Sequence, residues 1–381
     1  MPDDSFEHSI DVSFEVPFIH RLRVTDDVAG ADFDQLLGVI EGGDAGRAKV
    51  LLVAESAIGE SVTKMTDQLS KTDSIQLVAP PLIVDGGEEI KNSTDTVKSI
   101  LSQINAENLD RRSYIIAIGG GAMLDAVGYA AAVAHRGIRL VRLPTTTLAQ
   151  ADSGVGVKNA INYFGKKNWV GTFAVPWAVI NDTALLRSLP DRDFHNGFSE
   201  AVKVSLLKDR DEFRWLCEHA EQIRMRESKK KKKAIHRSCL LHLKHITEGG
   251  DPFEMLEARP LDFGHWSAHR LEPLTNYSVR HGEAVAIGVA IDCIYSTMMF
   301  GFPESDMQKV CQCLTDLGMK LWHESLHPID RLMQGLEEFR QHLGGRLTIT
   351  MLRGVGDPIN VHEIDASVMR QAIERLETLA R

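Results

Sequence analysis

The 381-residue chain is predicted to be an α/β protein, with a parallel-sheet domain over 1–190 and a mainly helical domain over 191–381. Three observations predict this. The length exceeds one ordinary core. Apolar runs alternate with helical periods through the first half. From about residue 185 onward almost every segment repeats at helical spacing instead.

Residues 1 to about 12 read as a loose tail, and SFEVPFIHRLRV (13–24) alternates like a strand at a sheet edge. AKVLLVAES (48–56) is a continuous apolar run, as a buried parallel strand requires. IQLVAPPLIV (75–84) is apolar too, but its proline pair must break or bend it. TDTVKSILSQINAEN (94–108) has helical periodicity with a threonine cap. SYIIAIGGG (113–121) is a strand running into glycines, AMLDAVGYAAAVAHRG (122–137) a helix stopped by Gly137, and IRLVRLPTT (138–146) the next strand. In the second half GFSEAVKVSLLKD, FRWLCEHAEQIR, AIHRSCLLHLKHITEG and GEAVAIGVAIDCIYSTMM are helical in period, and only RLTITMLRG (346–354) is strand-like.

Composition narrows the function. A net charge of -10 argues against a nucleic-acid binder, which needs a basic face. The run Lys229–Lys233 is expected to be a solvated face at a helix end. Cys217, Cys239, Cys293, Cys311 and Cys313 show no metal spacing and suit reduced thiols in a cytoplasmic protein. The opening MPDDSFEHSI lacks a signal-peptide pattern, and Ala284–Phe300 is expected to be a core helix rather than a membrane span.

Gly119, Gly120 and Gly121 sit between a predicted strand and a predicted helix, where bare backbone can approach a pyrophosphate. The spacing is not GxGxxG, so a tight turn explains it equally well. PTTTL (144–148) adds hydroxyls at the edge where open parallel sheets bind ligands, and Asp125 follows on the opening turn of the predicted helix. In the second half His265 and His269 are four apart on one helix face. His281 opens another helix, and Glu200 and Lys203 share a third. A carboxylate and two imidazoles would leave a divalent metal with open positions. Spacing alone does not choose among the 15 histidines.

IGGGAMLDAVGYAAAVAHRGIRLVRLPTTTLAQADSGVGVKNAIN resembles the cofactor and phosphate region of the 3-dehydroquinate synthase family. The similarity continues through GKKNWVGTF, VPWAVIND, LPDRDFHNGFSEAVK, LDFGHWSAHRLE and RHGEAVAIG, covering roughly 85 to 300. It implies a Rossmann-like NAD domain followed by a helical metal domain, usually as a homodimer. The implied metal ligands are Glu200, His265 and His281, with zinc favoured over cobalt. The implied NAD contacts are Glu88 and Lys91 of GGEEIK, Gly119, Gly120, Gly121, Asp125, Thr145, Thr146 and Lys167, with Glu55 at the adenosine ribose. Asp152, Lys158, Asn168, Lys203, Lys244 and His269 fall on substrate-site positions.

The chain departs from the family at three places. Ala258 stands where the family has an arginine, Asp262 replaces the asparagine before FGH, and FRQHLGGRLTITML lacks the usual lysine. These positions hold the carboxylate of a heptulosonate substrate; alanine offers nothing and aspartate repels it. Arg259 replaces the lost arginine only if the loop slips by one residue. The N- and C-terminal segments also resemble sedoheptulose 7-phosphate cyclases, while Glu283 keeps a dehydroquinate-like HGE. The overall look is that of the dehydroquinate-synthase-like protein of the bacterial Ebo cluster. The expected function is therefore an NAD- and metal-dependent sugar-phosphate cyclase whose small phosphorylated substrate lacks that carboxylate, with no nucleic-acid or membrane partner. The alternatives are a genuine 3-dehydroquinate synthase with a remodelled clamp, a polyol or glycerol-phosphate dehydrogenase, and a non-catalytic binding or regulatory homologue.

Overall fold

The computed structural model describes residues 9–42, 46–256, 259–342 and 345–380. The first half contains β1 (Arg21–Thr25), α1 (Phe33–Leu37), β2 (Ala48–Glu55), α2 (Gly59–Ser70), β3 (Ile75–Leu77), β4 (Leu82–Val84) and α3 (Asp95–Ala106). It continues with β5 (Tyr114–Gly119), α4 (Gly121–Val133), β6 (Arg139–Pro144), α5 (Thr147–Ala151), β7 (Lys158–Tyr163), β8 (Lys166–Phe173) and β9 (Ala178–Asp182). The second half contains α6 (Asp191–Asn196), α7 (Phe198–Lys208), α8 (Arg210–Arg224), α9 (Ser228–Glu248), α10 (His265–Leu274), α11 (His281–Phe300), α12 (Glu304–Asp316) and α13 (Ile329–His342). It closes with β10 (Ile349–Gly354), β11 (Asp357–Val361) and α14 (Ala366–Ala380).

A parallel sheet runs in the order β1-β9-β6-β5-β2-β3, with β4 also on β2. Its central strands are buried on both faces, which is why they read as unbroken apolar runs. Glu55, Gly119 and Pro144 all end their strands on the same carboxyl edge, with Gly119 opposite Pro144 in register. Pro80 and Pro81 split the apolar run 75–84 into β3 and β4, as the proline pair requires.

Three expectations are corrected. The edge strand begins only at Arg21, because its partner β9 offers five residues and pairing spans Arg21–Thr25. Thr94 precedes α3 without a side-chain cap; Ser93 Oγ instead accepts from Asp95 N at 3.0 Å. β10 has an antiparallel partner, β11, and β7–β8 is a hairpin turning at Phe164 and Gly165, both with positive φ. The lysine run lies at a helix end, the start of α9, where Lys233 is 3.9 Å over the Trp215 ring and Lys232 pairs with Asp26 at 2.5 Å.

The helical half packs its own core around α11, whose residues Gly282 and Ala284–Ser296 are buried. That helix is long and apolar enough to cross a membrane, yet 72% of its apolar window is buried inside the fold. All five cysteines are free. The halves meet through α5. Thr147 Oγ1 donates to Phe194 O at 2.7 Å, and Ser238 Oγ of α9 donates to Ala151 O at 3.2 Å. Gly197 approaches so closely that a Cβ there would lie 2.2 Å from Leu148 N.

Candidate active site

On the sheet side the site is built from strand ends. Gly120 caps α4 with no side chain, leaving the helix's first amides at the carboxyl edge of β5. A Cβ on Gly121 would come within 2.8 Å of Ser153 Oγ, and one on Gly119 within 2.8 Å of Met123 Sδ, so a side chain at either position has to displace a neighbour. Glu55 lies beneath it, its Oε1 accepting from Gly120 N at 2.9 Å. Burial raises the Glu55 carboxyl above its ordinary range, against the pull of that amide. Thr145 is buried, its amide bonded to Gly119 O, and Thr146 spends its hydroxyl capping α5 at Ala149 N.

A second polar group lies against α4. Lys91 is buried, 2.8 Å from Asp125 Oδ2, in short contact with Asn168 Oδ1, and 3.9 Å from Glu88. Asn162 ties Glu88 and Asn92 to the amide of Asn168. Asn168, expected with the substrate, thus sits among the expected nucleotide residues. Lys167 points the other way, 2.7 Å from Glu272 beside the histidines.

The helical half brings Glu200 (α7), His265 (α10) and His281 (α11) together, with one ligand atom from each within 4.8 Å of the others. His265 Nε2 and His281 Nε2 lie 3.6 and 3.7 Å from Glu200 Oε1. Tetrahedral ligands about 2.1 Å from an ion stand ~3.4 Å apart, so the spacing fits. Phe263 O takes His265 Nδ1 at 3.1 Å, and Glu272 Oε2 takes His281 Nδ1 at 3.3 Å, turning both Nε2 lone pairs inward. Burial, then the charges of Lys203, His269 and His281, push His265 well below the ordinary histidine range, which keeps that lone pair available. Glu200 is fully buried, and neither carboxylate oxygen receives a well-formed hydrogen bond. Lys203 Nζ lies 2.5 Å from its Oε2. A buried carboxylate left this way calls for a cation.

Around this centre, the His269 ring meets His265 edge to face at 5.2 Å and stacks on His281 at 6.1 Å. Asp152, at the end of α5, brings a sheet-side carboxylate to the centre. Burial would raise its pKa, but His242, Lys203, His281 and Lys158 together hold it below the usual value. Lys158 pairs with Glu254 at the start of β7. Lys244 is not brought in: it is exposed on α9, 3.7 Å from Glu248. Ala258 lies outside the described residues.

Several contributors were not singled out in the sequence. Glu272 is buried between His281 and Lys167; burial would raise its carboxyl, but His281 and Lys167 hold it well below the carboxylate range. Its signal was its place on the His265–His269 face, three residues past His269. His242 is buried with Nδ1 on Ser238 O and Nε2 3.2 Å from Asp152 Oδ1. Asp292 accepts from Gly264 N at 2.9 Å and Trp266 Nε1 at 2.8 Å, fixing the turn before His265. Gly264 has φ 78, and a Cβ there would meet Val289 N at 2.7 Å, so only glycine lets α10 start against α11.

The 3-dehydroquinate synthase N-terminal family model matches residues 81–196 and the C-terminal model residues 197–339. A 3-dehydroquinate synthase of Rhodopseudomonas palustris (strain TIE-1) is 30% identical over 339 residues, spanning 86% of this chain and 87% of its own. Among solved structures, ValA, a 2-epi-5-epi-valiolone synthase from Streptomyces hygroscopicus subsp. jinggangensis 5008 with NAD+ and Zn2+ bound, superposes with a TM-score of 0.86 at 24% identity. That likeness covers 97% of this chain and 100% of ValA. A 2-deoxy-scyllo-inosose synthase complexed with carbaglucose-6-phosphate, NAD+ and Co2+ gives 0.78 at 23%, covering 93% and 96%. These two likenesses establish the shared fold, and the family models together with the sequence relative establish descent: the chain belongs to the 3-dehydroquinate synthase family.

Proposed function

We propose that the protein is an NAD- and divalent-metal-dependent sugar-phosphate cyclase, and that its substrate, such as sedoheptulose 7-phosphate, lacks the heptulosonate carboxylate. The observation that carries this reading is the buried Glu200 carboxylate, short of donors, facing two inward imidazole nitrogens. We take residues 1–190 and 191–381 as the functional halves of a cytoplasmic homodimer.

NAD supplies reversible oxidation of a substrate alcohol, and zinc or cobalt supplies Lewis acidity at the substrate oxygens. Glu200, His265 and His281 hold the ion, and Glu272 fixes the orientation of His281. Gly119, Gly120 and Gly121 leave space for a pyrophosphate, with Thr145 and Thr146 beside it and Glu55 as the acceptor at the adenosine ribose. Glu88, Lys91, Asp125 and Asn168 frame the cofactor against α4. Asp152 orients a substrate hydroxyl, and Lys158 and Lys203 supply positive charge for the phosphate and for developing oxyanions. His269 exchanges protons with the substrate near the ion. Lys167 acts through Glu272. No role is proposed for Lys244, whose ammonium faces solvent.

A second reading, a genuine 3-dehydroquinate synthase, draws support from the named sequence relative. Phosphate release from sedoheptulose 7-phosphate and from a heptulosonate 7-phosphate, with products identified by mass spectrometry, separates the two. The proposal expects phosphate from the former without net NADH. Phosphate from the carboxylated sugar alone would sink it, and stoichiometric NADH would indicate a dehydrogenase.

A further inference from the structure

The loop before α10 places a carboxylate against both cations on the rim of the site. Glu254 reaches Lys158 through one oxygen and Arg259 Nη1 through the other, at 3.7 Å. Asp262 adds a second negative charge: after the penalty of burial, Asp262 and Glu254 are the groups that raise the Lys158 ammonium above its ordinary range. Lys158 thus feels two anions, and Arg259 shares one of them. Lys158 also belongs to the electrostatic surroundings of Asp152, which ties this cation to the site.

The loop holding Glu254 is seated. Asp251 carboxylate oxygens accept from Met255 N at 2.7 Å and Leu256 N at 2.8 Å. Phe253 packs 5.5 Å from Phe173, the β8 residue paired in register with Lys158, and 6.3 Å from Phe18. Glu254 itself has φ 53, a left-handed conformation uncommon for a side chain of its size.

We infer that Glu254 is a specificity-determining residue: it occupies Arg259 and Lys158 with an internal carboxylate and so selects against sugar phosphates that carry a carboxylate of their own. A phosphate dianion still gains from the lysine, whereas a single substrate carboxylate would displace one negative charge by another of equal size. A neutral polyhydroxyl end loses nothing, since hydroxyls bond equally to carboxylate and guanidinium. This inference rests on the substrate class proposed above and supplies its cause, because it takes Arg259 away as a replacement clamp.

The test is calorimetric binding of glucose 6-phosphate and 6-phosphogluconate to the full chain loaded with NAD+ and zinc. Both probes carry a phosphate but differ in ring form as well as in the carboxylate, so the change in their affinity ratio between variant and wild type, in which the ring difference cancels, reports the carboxylate. Wild type is expected to prefer glucose 6-phosphate by about tenfold or more. Glu254→Gln should shrink that preference by about tenfold, through tighter binding of 6-phosphogluconate. Adding Arg259→Gln to it should abolish the gain, an effect that mere loosening of the loop does not produce. An unchanged ratio in Glu254→Gln, a gain that survives loss of Arg259, or no binding of either probe would overturn the inference. A shifted ratio without phosphate release from any sugar phosphate would leave the selectivity standing and remove the cyclase reading. Phosphate release with an unshifted ratio would do the reverse.

Discussion

The two sides of the cleft are made by different means. On the sheet side the site is mostly backbone: strand ends, a glycine loop and a bare helix start, contributed by segments that are each continuous in sequence. On the helical side it is all side chain. Glu200, His265 and His281 come from three helices and depend on Glu272, Asp292 and Gly264 for their aim. The backbone side tolerates change wherever no Cβ intrudes. The side-chain side fails whenever a supporting partner is lost.

The largest effect should follow Glu200→Ala. It is expected to lower zinc affinity by more than about 100-fold, beyond what loss of an outer partner does, while NAD binding persists. Metal analysis after dialysis measures it, and a variant retaining stoichiometric zinc would erase the contrast. Glu272→Gln should cost about 10–100-fold in zinc affinity, because His281 loses the carboxylate that orients it. Competition with a chelator reads this directly.

Asp292→Asn should destabilise the fold by about 2 kcal/mol, since an amide cannot accept from both Gly264 N and Trp266 Nε1. The pH dependence sharpens the point. Burial raises the Asp292 carboxyl to about 7, against an unfolded value of about 3.9. The folded form therefore binds more protons between those values, so the contribution of Asp292 to stability is full at low pH and falls as pH rises toward 7. Denaturant midpoints of wild type minus variant should show that decline, and a flat difference would contradict it. The mildest change is Gly121→Ala. Ser153 can swing away from the new methyl, so NAD affinity should drop by only about tenfold, with zinc content intact, as fluorescence titration and metal analysis would show.

How far the sequence could be read follows the same division. Continuous apolar strands and the glycines between β5 and α4 announce themselves within a few residues, because burial on both faces and the need for bare backbone are local demands. The alternation Phe14, Val16, Phe18 promised a longer edge strand, but these side chains remain exposed because β9 ends the pairing at five residues. The hairpin β7–β8 passed unnoticed because NYFGKKNW carries no apolar alternation, only a turn. His242 was hidden because what makes it matter, Asp152 at the end of another helix, has no trace in its own segment, and Glu272 showed only as a carboxylate on the His265–His269 face.

Lys167 and Asn168 are consecutive, yet one grasps Glu272 beside the histidines and the other grasps Lys91 against α4. Asn168 has φ 54, off the regular pleat of the strand, and with the two side chains held by different partners β8 works as a two-sided rivet. Any slide of the helices past the sheet has to pull Lys167 from Glu272 or drag Asn168, and with it Lys91 and Asp125, along the same path. The separation between the histidine cluster and the polar group on α4 is thereby tied through one short length of strand, alongside the bonds that α5 makes to the helices.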